Sequence, residues 1–180
     1  MKIKFPDRSY SAALKFIITG LLLYLAWILV YESFIKPLHW IDPWLTNLVS
    51  SHSVALLRIA GFDTSHKMTE TGNIIFGGYS RLLRIAYLCD GLILYVIFLI
   101  FMIAFPGPAV HKTWFIPAGF LLIYMVNLGR VVALIIIEIK AREYLAFNHK
   151  YSFTLLVYGF IFFLWFLWIR YFSGMRKESI

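Results

Sequence analysis

Three short stretches of this chain hold residue types that do covalent chemistry: Cys89-Asp90-Gly91, Asn127-Leu128-Gly129-Arg130 and His149. Cys89 is the single cysteine, so it closes no intrachain disulfide, and no CxxC or Cys/His spacing suits a structural zinc site. Its thiol is either a small apolar filler or a nucleophile. A guanidinium nearby would favour the thiolate and activate it. Asn127 stands three residues before Arg130, so on a helix the two share one face. Together the three stretches supply a nucleophile, a cation for a developing oxyanion and a general acid–base group. Asp90 works against this, because a carboxylate beside a thiol raises the thiol pKa unless a cation compensates. Its alternative use is to orient His149 or Arg84. Gly-x-Ser-x-Gly and His-Glu-x-x-His are both absent, which leaves no serine elbow and no zincin site.

Each residue also has a plainer reading. Arg130 snorkels outward or pairs with Glu138 two turns further along, His149 is an interfacial histidine, and Cys89 fills a gap. On that reading the chain is a non-catalytic scaffold or assembly factor held together by Arg130, Asn127 and Glu138. A small transporter with Arg130 on an anion path is a further alternative, disfavoured by the lack of an inverted repeat.

The elements that must position these residues follow from hydropathy. Of 180 residues, 61% are hydrophobic and 19% aromatic, against about 45–50% apolar in a soluble domain. Apolar runs at residues 16–34, 88–105, 114–137 and 152–172 approach the roughly 20 residues that cross a bilayer as helix. The expected fold is an all-α integral membrane bundle of about four transmembrane helices, a single membrane domain over residues 1–180. The first run lacks a small-residue cleavage site and reads as a retained signal anchor ended by Lys36-Pro37. Residues 37–87 are too polar to cross. Within them an amphipathic helix is expected over 43–59, lying on the membrane surface or packed on the bundle, with Trp40 and Trp44 as interface anchors. A short β-hairpin follows, with residues 73–76 and 79–87 joined at Gly77-Gly78, and leads directly to Cys89 at the head of the second span. Residues 138–150 read as a charged connection between spans.

The net charge of +8 sits mostly between and beyond the apolar runs, which indicates membrane orientation and argues against nucleic acid. The basic segments are the N-terminus with Lys2, Lys4, Arg8 and Lys15, the loop with Lys112, and the tail with Arg170, Arg176 and Lys177. All are short, which favours both termini on the cytoplasmic side and places residues 37–87, Cys89 and residues 138–150 outside the cell. Arg130 then lies about 10–12 Å below Glu138, in the outer leaflet, where an intramembrane charge is a functional candidate. Cys89, Arg130 and His149 come from three segments to one membrane depth.

The ordered set resembles the exosortase/archaeosortase family of membrane-embedded cysteine transpeptidases. That family carries a Cys-(Ser/Ala)-Gly-like motif at the start of one span, Asn-x-x-Arg in the next, and His or Arg before the following one. Cys89-Asp90-Gly91, Asn127-Leu128-Gly129-Arg130 and His149 match in order and spacing; Asp90 departs from the usual small residue. The likeness covers about residues 82–172 and suggests a compact exosortase of the bacterial inner membrane. It implies cleavage of exported proteins at a C-terminal sorting tail (a motif, a transmembrane helix and a basic cluster) and transfer to a surface acceptor, either a membrane lipid or a glycan. It further implies Cys89 as nucleophile, Arg130 as oxyanion stabiliser and His149 as general acid–base. Asn127 is then expected to orient Arg130 or bind substrate backbone, with Asp90 and Arg84 also on the substrate. No cofactor is expected.

Overall fold

The computed structural model describes residues 7–173. The basic residues Lys2, Lys4, Arg176 and Lys177 lie outside the described residues. Helix α1 (Asp7–Val30) runs on without a break through a π-helical turn, Tyr31–Ile35, and a last α-turn, Lys36–Leu38. Pro37 therefore does not end the first helix where expected. In the π turn the Lys36 amide bonds the Tyr31 carbonyl, and the helix stops only at His39, whose φ of 47° is left-handed. Helix α2 (Ile41–Ile59) follows, then strands β1 (Thr64–Thr69), β2 (Gly72–Gly77) and β3 (Ser80–Ile85). Helices α3 (Leu92–Ala104), α4 (Ala109–Lys140) and α5 (Arg142–Phe172, with π-helical turns at Asn148–Ser152 and Trp168–Phe172) complete the chain.

Ala12–Leu38, Ala109–Lys140 and Arg142–Phe172 are long and apolar enough to cross a membrane; Leu92–Ala104 is apolar but only 13 residues long. The architecture is that of a helical membrane protein with a small sheet at one end. Two sequence expectations are corrected here. The second apolar helix starts at Leu92 rather than near residue 88, because Gly91 takes a left-handed φ of 92° and breaks the chain direction. Residues 138–150 are not a loop but helix, interrupted only at Ala141 (φ −155°, ψ 55°).

Two clusters hold the molecule together. Toward one end, Phe98, Met102, Phe115, Ile123, Ile161 and Trp168 interlock α3, α4 and α5. Lipid is as apolar as these side chains, so close fit rather than water exclusion drives this contact. Gly119 shows the fit: a Cβ there would come within 2.3 Å of the Phe98 ring. Toward the other end, Val49 and Leu57 of α2, Ile75 and Ile85 of the sheet, and Val131 and Ile135 of α4 form a second cluster. The amphipathic α2 is thus packed on the bundle. By contrast α1 is peripheral, touching α3 through Phe16 edge-on to Phe101 and Phe105.

The expected hairpin supplies two strands, β2 and β3, of a three-stranded antiparallel sheet in the order β1-β2-β3. Its tight spot is Gly72. The residue has φ 127°, and a Cβ would lie 2.2 Å from the Ile85 carbonyl oxygen. Gly72→Ala should therefore cost upward of about 2 kcal/mol through backbone strain and a clash with a fixed carbonyl. The check is a lower thermal midpoint for the full chain in detergent, with sheet-specific protease cleavage appearing first.

Candidate active site

The strand β3 ends at Ile85, and the chain turns at once through a single 3-10 turn, Tyr87–Cys89, closed by the Cys89 amide on the Ala86 carbonyl at 2.8 Å. Asp90 then bonds the first amide of α3 with its Oδ1 (Leu92 N–H, 2.8 Å), which puts its carboxylate at a helix N-terminus. Cys89 is consequently not on a span but in the turn that precedes α3.

Asn127 fixes this turn from α4. Its Nδ2 donates to the carbonyl of Cys89 at 3.3 Å and of Asp90 at 3.1 Å, and the residue is fully buried. A Cβ at position 91 would meet that Nδ2 at 3.0 Å, so glycine permits both the left-handed φ and the close approach. The clamp uses Nδ2 alone; the Oδ1 of Asn127 is buried and has no hydrogen-bond partner among the described residues.

His149 reaches the same place from the π-helical turn of α5. Its Nε2 lies 3.6 Å from the Cys89 Sγ. Arg130, three residues beyond Asn127, stands close enough for its charge to favour the Cys89 thiolate. Its Nε is buried and has no hydrogen-bond partner among the described residues. Glu138 pairs with Arg142 at 3.2 Å instead of with Arg130. The structure thus brings Cys89, His149, Arg130 and Asn127 together. Arg84 is elsewhere: it is exposed on β3, donates to Thr71 Oγ1 at 3.1 Å, and no hydrogen bond or ion pair joins it to Cys89, Asp90 or His149. Asp90 stands beside Asp42, and the two line one cavity.

Burial pushes the Cys89 thiol up; Arg130 opposes this, and Asp90 adds to it. The thiol therefore stays protonated at neutral pH, and a neighbouring base has to take its proton during attack. Burial, helped by Asp42 and opposed by the Leu92 amide, pushes Asp90 up to about 7. Iodoacetamide should accordingly label Cys89 slowly at neutral pH, with the rate rising only above the usual thiol range. Arg130→Gln should move that profile to higher pH and Asp90→Asn to lower pH, since the first removes the opposing cation and the second a like charge. Rates measured from pH 6 to 10 on the detergent-solubilised chain check both signs.

Beside His149 an open cleft of about 410 Å³ lies between β3 and the start of α5, with Leu83, Glu138 and Arg142 among its walls. Asp42 and Tyr31, near Asp90, were not singled out in the sequence. Tyr31 donates to the Asp42 carboxylate at 3.2 Å, and Asp42 is buried. An Asp-Pro step opening an amphipathic helix looks like any other helix start, so only burial distinguishes it.

A thiol, an imidazole and a guanidinium with a buried, unpaired Nε thus meet at the sheet end of the helical bundle, as a candidate cysteine-centred site. Residues 10–172 match the family model described as transmembrane exosortase. The chain belongs to the transmembrane exosortase family. No curated protein and no solved structure matches the chain.

Proposed function

We propose that this protein is a cysteine transpeptidase that cleaves exported proteins at a C-terminal sorting tail on the outer face of the membrane. Family membership supports a transpeptidase-like role in the membrane. The observation that carries the residue assignment is the Cys89 Sγ to His149 Nε2 distance of 3.6 Å, with the Arg130 Nε unpartnered alongside.

In this reading His149 Nε2 takes the thiol proton as Sγ attacks the scissile carbonyl. The carbonyl oxygen becomes an oxyanion stabilised by Arg130, whose Nε is buried and has no hydrogen-bond partner among the described residues. Collapse forms a thioester, and the protonated His149 gives its proton to the leaving amine. Asn127 keeps the Cys89 turn in place, acting as a positioning residue. The substrate's own helix holds its motif at a fixed depth, and the cleft beside His149 is where an extended motif fits. The basic segments favour the sheet end as the outer end and both termini as cytoplasmic.

The test is co-expression with an exported protein bearing a motif, a transmembrane helix and a basic cluster. Processing should drop by about 10²-fold or more for Arg130→Gln and His149→Ala, while both variants remain membrane-inserted. Unchanged processing in either would remove that residue from the mechanism.

A further inference from the structure

A second cavity, of about 240 Å³, lies on the other side of the Cys89–Asp90 step, between α1, the start of α2 and the start of α3. Its polar part is acidic. Asp42 and Asp90 both line it, and both are more than nine-tenths buried. The Asp90 Oδ2 has no hydrogen-bond donor among the described residues. No Lys, Arg or His is among its described lining residues, and Glu32 at the rim already pairs with Lys36 at 2.6 Å. Two facing carboxylates in such a place require a shared proton or a cation between them.

The remaining walls specify what kind of cation. Tyr24, Trp27, Tyr31 and Tyr87 present aromatic side chains to the space. Aromatic faces attract organic ammonium groups. The described residues hold no group of three His, Cys, Asp or Glu side chains placed for a metal ion. From Glu32 back to Tyr24 the helix descends about 12 Å, and over that depth Ile28 and Ile93 make the lining apolar. The cavity therefore has an acidic head at Asp42 and Asp90 and a foot of aromatic and aliphatic side chains that follows α1 down to Tyr24.

We propose that this cavity binds the ammonium head of an amine-bearing amphiphile. The site stands on the buried Asp42–Asp90 pair and the aromatic walls around it, apart from the transpeptidase reading.

The experiment uses the full chain in nanodiscs and a long-chain alkylamine carrying a photoactivatable diazirine, with the matched alcohol as control. The amine should label peptides from residues 24–32 and 41–45 at least tenfold more than the alcohol does, and Asp42→Asn should remove the difference. Equal labelling by amine and alcohol in the unaltered chain overturns the proposal, whatever the variant does. Competition identifies the source. Suppression by phosphatidylethanolamine nanodiscs but not by soluble ethanolamine indicates a lipid headgroup, and the reverse indicates a soluble amine.

Discussion

Cys89→Ala is expected to lower processing of a tail-bearing substrate by about 10³-fold or more while leaving the fold in place. Both halves follow from the turn in which the residue sits. The turn is held by backbone groups: the Cys89 amide on Ala86 O and the two carbonyls on Asn127. None of these involves sulfur, so losing Sγ costs only a partly buried packing contact, about 1 kcal/mol. The chemistry has no substitute. Cys89 is the only cysteine in the chain, and its sulfur is the atom His149 faces. Processing is read by mass of the released product, and folding by the thermal midpoint in detergent. A variant with normal processing would return the chain to the scaffold reading, in which Asn127 and its neighbours serve assembly.

Asn127→Leu should cost about 1–3 kcal/mol of stability, because two buried carbonyls lose their donor with no water to replace it. Its effect on processing should be larger, about 10²-fold. A nucleophile misplaced by about 1 Å loses that much. The loss should fall on kcat with KM little changed, since the side chain is fully buried and offers the substrate nothing to bind. The free carbonyls should also let the turn open, and Cys89 alkylation at pH 9 should speed up. A KM effect alone would make Asn127 a substrate contact instead. Retained kcat with reduced stability would make it purely structural.

Hydropathy located the apolar helices well, and three of the four runs form helices long enough to span, while Leu92–Ala104 is shorter than its run. It located their ends poorly. Residues 138–150 are rich in Glu, Lys, Arg and Ala, all good helix formers, so the backbone stays helical after the apolar run ends. Pro37 was read as a stop, but a π turn ahead of it lets the helix run to Leu38. In the sheet, β2 and β3 carry the Gly-Gly turn and β-prone residues, whereas β1 (Thr-Ser-His-Lys-Met-Thr) has one large apolar residue. Its strand form comes from pairing with β2, which no local pattern announces. The residue types of the site were legible, and its contacts were not. Cys89 and His149 are 60 positions apart in sequence, and the placement of Asp90 beside Asp42 depends on how α2 docks.

The brevity of Leu92–Ala104 has a mechanical result. At 13 residues it rises about 20 Å, some 10 Å less than a hydrocarbon layer of roughly 30 Å. Were this helix a membrane crossing, a mismatch of that size would draw the bilayer inward at the turn that leads into it. Cys89 would then stand at the floor of a dimple in the leaflet, where a peptide arriving from water would have to descend and lipids would drift in sideways.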